Sequence, residues 1–343
     1  MGRRFDIFGL PDLPFENIYQ RLSFGDLILL AACSKRTKSF LRRNEVFMKK
    51  MTTCDFNASN STRNFILQDV GRVKDRNEFK IDAWSEEATS LCLKMVIDGK
   101  PMEIQMVAGQ WKVKATDVLF WFQFAKQLFN FCPKVTVDIN DNFTQVTELF
   151  METNALHVAE KMLLSCGRVH NDQMAHILDH VEAQELELKA KTYRSFEYEK
   201  LVNTKSSIIT LYDPHWLSME QTWEMVQSGV QRMDLQEMVS WTSWKFNRFI
   251  KKWLNSTNTS LEVLSFTFQK KMLHPSILFD GIETIPGARK RPDAASYFDR
   301  NIQYETGKDI RRKDGVMATL ILQGGPQQLY SSFTVWYESN PNL

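Results

Sequence analysis

His176 and His180 lie four residues apart, a spacing that puts two imidazoles on one face of a helix where both could reach a single metal ion. A metalloprotease helix needs a Glu directly after the first His; Ile177 stands there, and no third ligand suggests itself. The pair therefore reads as two helix-surface histidines, with Asp172, Asp179 and Glu182 as a solvated acidic neighbourhood. Cys166 has His170 nearby in sequence, but a nucleophile and its base must meet in space, which sequence proximity does not ensure. Gly324-Gly325-Pro326 follows a strand-like run yet opens no helix, and Pro326 lacks the N–H that a phosphate cradle uses. There is no Gly-x-Ser-x-Gly elbow. The expectation is a protein that is not an enzyme, with no catalytic residues, no metal ligands and no cofactor.

Composition narrows the class of partner. The chain has 343 residues, enough for about two domains. Lys and Arg number 43 against 41 Asp and Glu, a net charge of +2, so no global field draws it to nucleic acid or an anionic membrane. Basic runs at Lys35-Arg36-Thr37-Lys38, Arg42-Arg43 and Lys49-Lys50 read as exposed charges. The 24 Phe and 9 Trp supply ample core, and some of them suit interface anchors. Five cysteines, with no Cys-x-x-Cys pair, argue for a reducing intracellular compartment, cytoplasmic or nuclear. Met1 to Ile7 is basic without an apolar stretch behind it, so no signal peptide is expected. The longest uncharged run, residues 315–337, is broken by Gly324-Gly325-Pro326 and reads as two strands and a turn, not a membrane span.

Hydrophobic periodicity then divides the chain. Residues 8–50 show Ile18, Leu22, Leu27, Leu30 and Ala31 at helical spacing, with Gly25 between two short helices. Residues 51–78 are polar and read as a linker. From 79 to 115 the period becomes two. Leu91, Leu93, Met95 and Ile97, then Asp98-Gly99, then Met102, Ile104 and Met106, spell a hairpin. From 117 to 268, strand-like runs at 134–138, about 157–164, 185–189, 208–212, 232–236 and 263–266 alternate with helix-like runs at 196–201, 218–226 and 243–254. The apolar pairs 186/188, 209/211, 233/235 and 264/266 recur at a strand-plus-helix period, which predicts a parallel sheet and a degenerate leucine-rich-repeat-like solenoid. Residues 318–322 and 332–336 form a C-terminal antiparallel hairpin. The fold class is thus α/β, with 79–343 as one repeat-like domain.

Two resemblances bear on function. Leu10-Pro11-Asp12-Leu13-Pro14 through Ile18 and Leu22, then Asp26-Leu27 and Ser34-Lys35-Arg36-Thr37, resembles an F-box of the nematode type. Many F-boxes carry Trp where this chain has Thr37. Phe246 to Asn258 followed by Leu261-Glu262-Val263-Leu264-Ser265 is similar to the F-box associated domain of type two. So are Gly281-Ile282-Glu283, Asp309 to Gly315, Ala318-Thr319 and Val335-Trp336. This second likeness spans about 185–338.

The resemblance implies a substrate-recognition subunit of a Skp-cullin-F-box ubiquitin ligase, or a scaffold with the same docking but no role in ubiquitination. Its partners would be a Skp-type adaptor, the cullin behind it and an unidentified target protein, with no nucleic acid and no membrane. Leu10, Pro11, Ile18, Leu22, Leu27 and Leu30 are the expected adaptor contacts. If each apolar pair faces the helices, the outward strand residues are Glu185, Glu187 and Lys189, then Ile208, Thr210 and Tyr212, then Arg232, Asp234 and Gln236. Glu185, Glu187, Ile208, Thr210, Tyr212, Arg232 and Asp234 are the expected target contacts.

Overall fold

Alternating apolar residues recur through most of the chain, and the computed structural model turns them into strands in two units, Met1–Thr136 and Val137–Leu343. The structure describes residues 22, 24–33, 37–39, 41, 53–59, 62–68, 78–83, 91–97, 100–107, 110–129, 131–139, 143–151, 154, 156–200, 205–238, 240–269, 274–286, 307–324 and 328–337.

The first unit holds helix α1 (Phe24–Cys33), strands β1 (Thr53–Ser59), β2 (Arg63–Gln68), β3 (Glu78–Ala83), β4 (Leu91–Ile97), β5 (Lys100–Val107) and β6 (Gln110–Val113), and helix α2 (Ala115–Phe129). The strand order is β1-β2-β3-β6-β5-β4, antiparallel throughout except for the β3–β6 pair. Pairing of Ile97 with Lys100 closes the hairpin expected around Asp98-Gly99. Helix α2 buries Val118, Trp121, Phe122, Ala125, Leu128 and Phe129, an i, i+3, i+4, i+7 stripe, against β2 and β3. Phe122 meets Phe56 at 4.9 Å and Phe65 at 5.7 Å, edge to face.

Strand β7 (Lys134–Ile139) crosses the division between units. The second unit continues through helix α3 (Phe143–Val146), which runs on into a π-helical turn at Thr147–Met151, then β8 (Val158–Arg168), α4 (Asn171–His180), β9 (Glu182–Lys191), β10 (Ile208–Tyr212), α5 (Met219–Gln227), β11 (Arg232–Met238), α6 (Ser243–Leu254), β12 (Val263–Gln269), α7 (Pro275–Leu278), β13 (Ile285–Pro286), β14 (Lys308–Arg311), β15 (Met317–Gly324) and β16 (Gln328–Trp336). Strands β8 to β12 are neighbours in chain order and parallel. Beyond β12 the order is β16, β15, β14, β13, all antiparallel. The C-terminal hairpin thus extends the parallel sheet and closes its end.

Register explains why the paired leucines recur. Leu186, Ile209, Met233 and Leu264 stand side by side across β9 to β12, and Leu188, Leu211, Leu235 and Phe266 form the next rung. All eight are buried. Helix α6 supplies the matching face: Phe246, Phe249, Ile250 and Trp253 are fully buried, with Trp253 at 5.1 Å from Phe333 and Phe246 at 4.8 Å from Phe266. Ser218 caps α5 by accepting from the Gln221 N–H, while the Gln221 side chain accepts from the Ser218 N–H.

Three expectations need correction, and one helix went unforeseen. Residues 51–78 are not simply a linker, since β1 and β2 lie within them and pair antiparallel. Only every second residue there is apolar and buried, such as Cys54, Phe56, Ala58, Phe65 and Leu67, so the stretch looks polar on average. Residues 196–200 are not helical, because Phe196 and Tyr198 are both buried on Trp216 at a spacing of two that a helix cannot provide. Gly25, expected between two helices, lies inside the first turn of α1. Helix α2 was not foreseen, although its apolar stripe is present in the sequence. Among the described residues no helix is long and apolar enough to cross a membrane.

Candidate functional site

The F-box-like segment presents one describable face. Helix α1 turns Leu27, Ile28 and Ala31 inward beside β3 and β4. On the opposite side Asp26, Leu30 and Cys33, spaced i, i+4, i+7, point to solvent. Leu30 is 40 % exposed, a large apolar side chain on the outer face, whereas Leu27 is 2 % exposed. Of the six residues expected at the adaptor, Leu30 is therefore available, Leu22 is half-buried and Leu27 supports the helix from beneath. Leu10, Pro11 and Ile18 lie outside the described residues.

The outward face of the parallel sheet has the expected register. Glu185, Ile208 and Arg232 form one rung; Glu187, Thr210 and Asp234 form the next; Tyr212 pairs with Gln236 in the third. The charges on this face are already engaged. Lys161 bridges Glu185 at 2.8 Å, Arg232 bridges Glu262 at 2.8 Å, and Lys189 bridges Glu187 at 2.7 Å while lying 5.6 Å above the Tyr212 ring. The Glu187 carboxylate holds the Lys189 ammonium above its usual pKa. Asp234 sits in the foreseen register but is only 1 % exposed, in a rung that continues into buried Ser265 and Ser332. The accessible part of the face thus runs from β8 to β10, with Ile208, Thr210 and Tyr212 half-buried near its middle.

A third cluster was only half legible. His176 and His180 do share a helix face, with ring centroids 4.1 Å apart, and His157, just before β8, joins them at 5.3 and 5.8 Å. His157 and His176 both donate from Nε2 to the Phe150 carbonyl, at 2.7 and 3.0 Å. Phe150 lies in the π-helical turn, whose last carbonyls have no partner within the turn itself. Among the described residues no group of three or more His, Cys, Asp or Glu side chains is placed to hold a metal ion. The two donated bonds clasp the end of that turn. Asp179 is drawn away from it: burial alone would raise its pKa, but bonds from Lys200 and Tyr198 hold it below the usual range.

The half-buried setting of His176 predicts a pH dependence. Burial, reinforced by His180 and His157, lowers the His176 pKa from 6.5. The unfolded chain therefore takes up this proton before the folded one, so stability present above pH 6.5 is lost as pH falls through the lowered folded value. Urea midpoints measured at pH 7.5 and 5.5 should fall on acidification in the native chain. In His176→Gln the fall should be smaller; an identical fall in both would contradict the assignment.

Comparison with known families identifies one domain: residues 7–49 match the F-box domain. F-box domains dock on the Skp-type adaptor of ubiquitin ligases, so the α1 face belongs to a segment suited to that role. No curated protein and no solved structure matches the chain.

Proposed function

We propose that this chain is a substrate-recognition subunit of a Skp-cullin-F-box ubiquitin ligase, working inside the cell in a reducing compartment and performing no chemistry of its own. The observation that carries the reading is an F-box domain whose described helix leaves Leu30 partly exposed while anchoring its other face inside the same chain. Leu10, Pro11, Ile18, Leu22 and Leu30 contact the adaptor in this reading, with Leu27 as their support. Holding a target beside a charged ubiquitin-conjugating enzyme raises its effective concentration there, which is all such a subunit must do. Cys33 and Cys132 are exposed and in no disulfide, which suits a reducing environment.

The second unit is the target-binding part, read as a degenerate leucine-rich-repeat-like array that ends in an F-box associated domain of type two. The four-strand ladders of Leu186 and Leu188 support the repeat. The second likeness gains support from the way its scattered motifs converge. Trp253 of α6 packs on Phe333, and the Arg312 guanidinium lies 5.1 Å over the Trp253 ring. Arg312 also donates to the Asn258 carbonyl at 2.7 Å. Half-buried strand residues Ile208, Thr210 and Tyr212 form the proposed reading face, since an aromatic among engaged charges suits an interface centre better than a wet surface.

The test is a reconstituted ligase, with target captured from cells while cullin activity is stalled. Tyr212→Ala should reduce capture and ubiquitin transfer to that target about tenfold and Ile208→Thr several-fold, while adaptor binding and the fold are kept. Arg232 is a poor probe, because Arg232→Glu would set a second carboxylate against Glu262. Transfer that survives both substitutions would move the reading face elsewhere. A captured target that is never modified would favour the scaffold role.

A further inference from the structure

The helix layer of the second unit carries a feature that adaptor docking and the strand face leave unused. Trp223 and Gln227 of α5, with Arg248, Lys251, Lys252 and Asn255 along α6 and its end, line an open groove of about 540 Å³. Trp244 heads the same stripe: it is 57 % exposed, and the Arg248 guanidinium lies 4.8 Å over its ring. We propose that this groove binds a short acidic segment of a partner protein, anchored by an aromatic or apolar side chain on Trp244.

Three observations carry it. The cations are unspent: Lys161, Lys189, Lys191, Lys200 and Lys205 of this unit each bridge a carboxylate, whereas Lys251 and Lys252 have no ion pair among the described residues. Among the described carboxylates Arg248 reaches only Glu220, at 3.8 Å. Geometry favours an elongated partner, because Trp244, Arg248, Lys251 or Lys252 and Asn255 follow one helix face. At 1.5 Å per residue that stripe is roughly 16 Å long, which about five extended residues would cover. The α5 rim carries Glu220 and Glu224, which repel a continuous polyanion or an anionic bilayer more than a segment whose charges can be spaced to avoid them. The groove lies on the helix side of the sheet, away from Tyr212, and the proposal does not rest on the ligase reading.

The experiment uses the purified full chain and a fluorescein-labelled pentapeptide of one Phe followed by four Glu, read by anisotropy. Saturable binding is expected, weakening by about tenfold or more between low and high salt. Binding should be absent for the peptide with Gln in place of Glu. Lys251→Glu with Lys252→Glu should reduce affinity at least about tenfold, and Trp244→Ala several-fold, with circular-dichroism melting unchanged. Should the double variant fail to fold, Lys252→Gln alone must still weaken the peptide. No saturable binding, binding that ignores the lysine changes, or tighter binding of single-stranded RNA or of anionic phospholipid vesicles would each overturn the proposal.

Discussion

Trp253→Ala is expected to lower the stability of the second unit by about 3–5 kcal/mol, the usual range for emptying a buried aromatic site. Trp253 is fully buried between Phe333 of β16 and the Arg312 guanidinium, so its indole joins α6 to the sheet and to the turn after β14. Its Nε1–H has no hydrogen-bond partner among the described residues, so truncation leaves no acceptor orphaned and the cost is one of packing. Collapse into the space is opposed by Phe249, itself fully buried and 6.3 Å from Phe333. Trp253→Phe should recover more than half of the loss. Chemical denaturation followed by circular dichroism measures both variants. A loss below about 1 kcal/mol for Trp253→Ala would mean that α6 is not held as described.

Leu30→Asp is expected to weaken adaptor binding by at least about 100-fold without unfolding the chain. Leu30 faces solvent on α1, so in the free chain the carboxylate remains hydrated. At a closed apolar interface the same carboxylate must shed its water without a partner, which costs several kcal/mol. Leu27→Asp, at a buried position three residues earlier, should instead destabilise the first unit and lose adaptor binding for that reason. Surface plasmon resonance with immobilised adaptor, beside thermal melts, separates the two outcomes. Full adaptor binding by folded Leu30→Asp would place the contact elsewhere on the F-box.

The contrast between Leu27 and Leu30 shows where the sequence stops informing. Both are leucines at helical spacing, and periodicity marks them alike; which one meets solvent depends on β3 and β4, more than forty residues downstream. The parallel sheet was legible because its rungs repeat: apolar pairs at 186/188, 209/211, 233/235 and 264/266 must face one way if they are to be buried together, and the register sets them side by side. Strands β1 and β2 were hidden because Cys54 and Ala58 are weak hydrophobic signals among Asp and Asn. Asp234 looked exposed because alternation gives the face of a strand and not what covers it. His157 could not be joined to His176 and His180 from spacing alone, since the π-helical turn that unites them is a property of the folded backbone. The basic stripe of α6 was visible as Arg248, Lys251 and Lys252, but only ion-pair geometry separates spent cations from free ones.

The most direct test is to co-express the full chain with a Skp-type adaptor and weigh the purified material by size-exclusion chromatography with light scattering. The account predicts a one-to-one complex that forms with the native chain and is lost in Leu30→Asp. A folded native chain that elutes alone, with the adaptor in excess, would contradict it.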